Sequence, residues 1–178
     1  MRAFIWFIAF LFLVCPQAFS DDKKPSRNTS QTIELHECSE KKLGLKFLCN
    51  LDWIIETDKD AILVVMADEP AVTMTLAQAK SPVIFFEQLD DEALKGMGQY
   101  VSGFTKKQIL IGGEKAWQIK GFSKGYPEIQ LLDFYFIHDL KLYSVLFSVD
   151  PKQDFDNYEE LFTRIAQSIV FFDPPAAK

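Results

Sequence analysis

FYFIHDLKLYSVLFSVDPKQDFDNYEELFTRIAQSIVFF, residues 134–172, carries two periodicities in one continuous stretch. Tyr143, Val145, Phe147 and Val149 fall at every second position, the spacing that puts side chains on one face of a strand. The apolar run from Ile129 to Ile137 precedes them across His138-Asp139-Leu140, so the two segments read as long antiparallel neighbours. Asp150-Pro151 ends the second strand, because proline cannot donate to a sheet ladder. Beyond it Phe155, Tyr158, Leu161, Phe162, Ile165 and Ile169 trace one stripe of a helix, for which Asp154 is the expected N-cap. Ser168 to Phe172 is read as a short terminal strand.

Upstream the same alternation recurs. Leu43 to Cys49 is apolar with Gly44 and Lys46 interleaved, and Trp53-Ile54-Ile55 opens another extended piece. Ala61 to Ala67 is a nearly continuous apolar run, and Val72, Met74 and Leu76 alternate with Thr73, Thr75 and Ala77. Asp68-Glu69-Pro70 turns the chain between them, so these segments form an antiparallel meander. After Pro82 the rhythm changes: Leu89, Ala93, Met97, Tyr100 and Phe104 recur at helical spacing, which predicts a helix through Phe104 despite Gly96, Gly98 and Gly103. Gln108 to Ile111 and Lys115 to Phe122 flank Gly112-Gly113, a hairpin signal. Strands, helix, strands, helix is the order of an α+β domain, an antiparallel sheet covered by helices.

Three stretches together resemble the PsbP-like domain family. GLKFLCNLDW (44–53) is similar to that family's first strand and Trp-bearing turn, and IGGEKAWQIKGF (111–122) to its Gly-turn hairpin. Residues 134–172 are similar to its closing hairpin, helix and terminal strand. Asn50 stands where the family usually has Pro, and Leu140 where its hairpin turn usually has Gly, which implies a longer or less tight loop there. The resemblance implies an α/β/α sandwich with a central antiparallel sheet flanked by helices. It also implies a non-catalytic protein that works by docking on partners, as family members mostly do. It supplies no site residues, because no binding motif matches.

The N-terminus gives an address. Arg2 precedes twelve apolar residues, Ala3 to Val14, followed by Pro16 and by the small side chains of Ala18 and Ser20. That is the layout of a cleaved secretory signal over 1–20, and the run is shorter than the roughly 20 residues that span a bilayer. An uncleaved anchor and an acylated Cys15 are the weaker alternatives. Residues 21–32 (DDKKPSRNTSQT) read as a disordered leader, 33–172 as one domain and 173–178 as a tail. Export makes the protein periplasmic or secreted, with membrane contact only through the signal before cleavage. It also leaves Cys38 and Cys49 as a pair in an oxidising compartment. Both lie in a possible hairpin, 33–38 with 45–49, where pairing would set them opposite each other for a disulfide. Two buried free thiols are the alternative.

The chain has 178 residues, 48% of them hydrophobic, and a net charge of -6. Without 1–20, 18 Lys and Arg stand against 25 Asp and Glu, a net charge of -7 over 158 residues. That acidic balance excludes a basic nucleic-acid footprint. GMGQYVSG (96–103) departs from the dinucleotide fingerprint, so no cofactor is expected. His36, Glu37 and Cys38 could ligate a metal, but in a strand Glu37 points away from the other two. Asp150, Asp154, Asp156, Glu159 and Glu160 lack calcium-loop spacing and suit a helix N-terminus instead, so no metal is expected. His138 reads as a solvated turn residue, and no nucleophile is visibly paired with a histidine.

One patch stands out. Val83, Ile84, Phe85 and Phe86 are consecutive apolar residues at the start of the first helix, and they cannot all face inward. They form a docking surface, a groove for an apolar ligand, or a staple across the helix entrance. The leading expectation is an exported, non-catalytic domain that binds a protein partner or supports envelope assembly. The alternative is a small carrier of an apolar ligand in a sheet–helix crevice, and the third a hydrolase with a scattered site.

Overall fold

The strand Lys141–Asp150 buries alternating side chains, whereas its neighbour Gln130–His138 is buried on both faces, and these two strands form the centre from which the molecule is built. The computed structural model describes residues 33–79, 83, 85–97 and 101–172. The expected signal (1–20), leader (21–32) and tail (173–178), and Ile84 of the apolar patch, lie outside the described residues. The strands are β1 (His36–Glu40), β2 (Leu45–Cys49), β3 (Ile54–Thr57), β4 (Ala61–Ala67), β5 (Ala71–Ala79), β6 (Val101–Ile111), β7 (Glu114–Ser123), β8 (Gln130–His138), β9 (Lys141–Asp150) and β10 (Val170–Phe171). The helices are α1 (Asp91–Met97) and α2 (Glu159–Gln167), with 3-10 turns at Phe86–Gln88 and Lys152–Asn157.

Seven strands form one antiparallel sheet in the order β3-β4-β5-β9-β8-β7-β6. A second sheet of three strands, β1-β2-β10, packs against its core through β2. One face of the large sheet turns Val145, Phe147 and Val149 of β9 and Phe134 and Phe136 of β8 inward, all fully buried. Against them pack Phe162, Ile165 and Ala166 of α2 and Leu45, Phe47 and Cys49 of β2. Phe147 stacks on Phe162 with ring centroids 4.5 Å apart. Each buried Val, Leu, Ile or Phe among them contributes about 1.5–3 kcal/mol by leaving water. Ser168 joins the layers: its hydroxyl accepts from Leu48 N (2.8 Å) and donates to Ile165 O (2.6 Å), capping α2 onto β2.

The opposite face holds a smaller cluster. Leu89 and the α1 residues Leu94 and Met97 cover Ile119, Tyr135 and Leu142. The α+β class and the central antiparallel sheet are therefore present, whereas the expected helical flanks are only partial. One face shares its cover between α2 and a small sheet, and the other carries a seven-residue helix.

Several expectations are corrected. The helix does not run to Phe104: its described span is Asp91–Met97, and Val101 already begins the eleven-residue strand β6. The register of β6 on β7 shifts between Ser102 and Thr105, and this bulge hides the alternation that would have marked the strand. Asp154 is not the N-cap of α2: it sits inside a 3-10 turn, and Tyr158 occupies the cap position without a side-chain bond. Nor is the β8–β9 loop long. Asp139 and Leu140 make a two-residue turn with φ of 48° and 58° between paired His138 and Lys141. Cys38 and Cys49 are bonded, with Cα atoms 5.8 Å apart, but they are not opposite: Cys38 faces Phe47 and Cys49 faces His36.

Candidate functional site

The apolar patch and two hairpin turns meet at one end of the large sheet. Phe86 opens the 3-10 turn Phe86–Gln88, whose geometry is set when Phe85 N donates to Gln88 Oε1 (3.0 Å) and Gln88 N to Phe85 O (3.0 Å). The staple is thus replaced by a turn ahead of α1. Val83 and Phe86 face the smaller core cluster, while Phe85 stays 56% exposed. Phe86 stacks on Trp117 of β7, with centroids 5.6 Å apart and planes at 21°, so it is held from below. Lys106 Nζ lies 4.6 Å from the Trp117 ring centre on the same side of the sheet and is also paired with Asp91 of α1. Trp117 Nε1 is buried with no hydrogen-bond partner among the described residues.

Phe85, Phe86 and Glu87 form one wall of an open groove of about 560 Å³. Gly113, Glu114 and Lys115 from the β6–β7 turn and Ile137, Asp139 and Leu140 from the β8–β9 turn complete it. Leu140 is 62% exposed, so the groove carries an apolar side chain on each rim. Charged groups surround them: Lys115 Nζ is 3.5 Å from Glu87 Oε1. The tight β6–β7 turn depends on Gly112, whose φ is +57° and whose added Cβ would lie 3.0 Å from the Ile169 carbonyl oxygen.

His138 anchors the turn from beneath. Its ring stacks on Phe171 of β10 (3.7 Å between centroids), Nδ1 lies 3.3 Å from Glu114 Oε1 and Nε2 lies 3.8 Å from Asp139 Oδ2. It is not the solvated turn residue expected, but a half-buried ring linking both hairpins to the small sheet. Tyr143 packs beside it, and burial together with the Asp139 carboxylate raises its phenol above the usual tyrosine range. His36 is exposed on β1, with Glu34 Oε1 3.8 Å away. Among the described residues no three His, Cys, Asp or Glu side chains gather as a metal site. The acidic residues before and on α2 do partner a cation: Lys120 Nζ is 2.7 Å from Glu159 Oε2 and 3.7 Å from Asp156 Oδ1.

The patch at 83–86 was visible in sequence, but the other side of the groove was not. Glu114, Ile137 and Leu140 join Phe85 only because β6–β7 and β8–β9 are neighbouring hairpins opening at the same end. Asp133 was also missed. It is fully buried on β8, accepting from Ser144 Oγ at 2.9 Å, on the face opposite the main core.

This antiparallel sheet, covered by a C-terminal helix and closed by a terminal strand returning to the first hairpin, has the PsbP-like fold. The solution structure of cyanobacterial PsbP (CyanoP) from Synechocystis sp. PCC 6803 is similar over 83% of this chain and 98% of its own, with a TM-score of 0.58 and 14% identity. A point mutant of the protein Mog1 is similar over 79% and 97%, at 0.55 and 8%. PA94 from Pseudomonas aeruginosa is similar over 81% and 99%, at 0.50 and 14%. No family model and no curated protein matches the sequence. At these identities the likeness is one of fold. Among the described residues no helix is long and apolar enough to cross a membrane.

Proposed function

We propose that this is an exported, non-catalytic domain, periplasmic or secreted, that docks on a protein partner in the cell envelope through the groove between Phe85 and Leu140. The observation that carries the reading is the pairing of two exposed apolar side chains with rigid supports. Phe85 projects beside a Phe86 that is stacked on Trp117, and Leu140 is held out by a left-handed turn. Side chains fixed before contact lose little freedom on binding, which favours them as anchors. Glu87, Glu114, Lys115 and Asp139 then form a charged rim around the anchors. A groove that is open and rimmed by charge suits one or two partner side chains better than a lipid tail, which needs enclosure. The polar neighbours of His138 are the carboxylates of Glu114 and Asp139, which orient its ring between the two hairpin turns. Export is supported by the Cys38–Cys49 bond, which belongs to an oxidising compartment, and by the signal-like sequence over 1–20.

The test is site-specific photo-cross-linking in the exporting host, with benzoylphenylalanine placed at 85, at 140 and, as control, at 105 on β6. Adducts of one mass from 85 and 140 but not from 105, lost when Glu87 and Lys115 are reversed in charge, are expected. Equal labelling from all three positions would overturn the groove as the docking site.

A further inference from the structure

A second surface, at the far end of the large sheet, has the character of a strand acceptor. Among the described residues β3 is the outermost strand on that side and pairs only with β4. Asp58 N donates to Ala61 O (2.9 Å), and antiparallel pairs alternate between bonded and unbonded. Counting back along the register, Glu56 with Leu63 and Ile54 with Val65 are bonded pairs. The backbone groups of Ile55 and Thr57 therefore point outward from the sheet, two residues apart, at the spacing an added strand requires.

The two ends of this sheet are defended differently. β6, at the other edge, carries Lys106 and Lys107 and a bulge between Ser102 and Thr105, the devices that block edge pairing. β3 reads Ile-Ile-Glu-Thr, with neither lysine nor proline nor bulge. Around it Leu51 is 76% exposed and Ile54 59%, with Ile55 and Leu63 also exposed. Ile54 and Leu63 share a sheet face, since Ile54 stands opposite Val65, two residues from Leu63.

The charge on this edge selects the occupant. Between Asn50 and Asp60 the chain bears Asp52, Glu56, Asp58 and Asp60 against a single cation, Lys59. A second copy of this chain fits poorly. Two-fold pairing of β3 with itself must set residues of one face opposite each other. Centred on Ile54 it puts Asp52 against Glu56, centred on Ile55 Asp52 against Asp58, and centred on Glu56 that residue against itself. Like charges directly opposite destabilise a pair. We propose that the β3 edge captures an extended segment of a partner protein that carries an aliphatic residue flanked at every second position by Lys or Arg, all on one face, adding it to the sheet as a further strand. Main-chain bonds to Ile55 and Thr57 hold it, its aliphatic side chain lies against Ile54, and the cations two residues to either side on the same face meet Glu56 and Asp52. This site is separate from the Phe85 groove and does not depend on it.

The test uses a fluorescein-labelled synthetic peptide, Thr-Lys-Thr-Val-Thr-Arg-Thr, whose Lys, Val and Arg share one face, titrated against the folded domain by anisotropy. Two controls have the same length: one with Glu replacing every cation, one N-methylated on alternate backbone amides. Expected are saturable binding of the first peptide, at least tenfold weaker binding of both controls, and slowed hydrogen exchange at the Ile55 and Thr57 amides. Ile54→Lys, a change at an exposed side chain, should weaken binding at least tenfold, and Phe85→Asp should leave it unchanged. The proposal is overturned if no peptide binds, if either control binds equally, or if exchange slows elsewhere. It is equally overturned if the protein sediments as a dimer that Ile54→Lys splits, or floats with phosphatidylglycerol vesicles in an Ile54-dependent way. The peptide controls keep the test decisive even if the variant folds poorly.

Discussion

Leu140 is an exposed leucine in a left-handed backbone conformation, φ 58°, where most side chains crowd the following carbonyl. The cost is about 1–2 kcal/mol for an L-residue with a Cβ. Replacing it with glycine should therefore raise stability by about 1 kcal/mol, seen as a higher urea midpoint at unchanged slope, while lowering photo-cross-linking from position 85. A stability gain with no loss of cross-linking would show that the leucine has no role at the groove. The sequence marked His138-Asp139-Leu140 as a turn but implied a looser one, because glycine was missing. The two-residue geometry became visible only from the register of β8 on β9. His138 was misread for a related reason: its stacking partner Phe171 lies on a strand that arrives after α2, out of reach of any local pattern.

The elements that carry strict alternation were legible, and those that break it were not. β9, with Tyr143, Val145, Phe147 and Val149 all buried, was read correctly from spacing alone, as was the Gly112-Gly113 hairpin. β6 failed because Tyr100 and Phe104 continue the helical spacing of Leu89, Ala93 and Met97 in sequence, while its bulge removes the competing period of two. The β1–β2 hairpin was expected to place its cysteines opposite each other, and it instead bonds them on the diagonal with the sulfur of Cys49 inside the main core. The bridge closes a short loop, so replacing Cys38 by serine, or reducing the bond, should cost about 3 kcal/mol. Chemical denaturation with and without reductant measures this directly. An equal stability in both conditions would mean that β2 is held by β10, Ser168 and core packing alone.

At the scale of the whole molecule, two tyrosines make the fold sensitive to alkali. Burial first, and then the nearby carboxylates Asp139 and Asp154, push the phenols of Tyr143 and Tyr158 above the ordinary value of 10.0. Their folded state binds protons that the unfolded chain releases. The stability they contribute is thus full below about pH 10 and is lost as pH rises through the raised folded values. The urea midpoint should fall above about pH 10, and Tyr143→Phe combined with Tyr158→Phe should flatten that decline. An unchanged alkaline slope would assign it to other groups. The order of strands has a further consequence, for the time course of folding. β5 lies inside the large sheet, yet one of its partners is the central strand β9, with Ala71 opposite Asp150, and the whole of α1, β6, β7 and β8 is strung between them. The meander β3-β4-β5 and the meander β6-β7-β8-β9 can each form from neighbours, but their join must close a loop of nearly half the domain. Such a seam is slow to find, placing the domain among those that fold in roughly milliseconds to seconds. Until it closes, each half presents a bare apolar edge, which makes the newly emerged chain, rather than the finished fold, the form most in need of protection from aggregation.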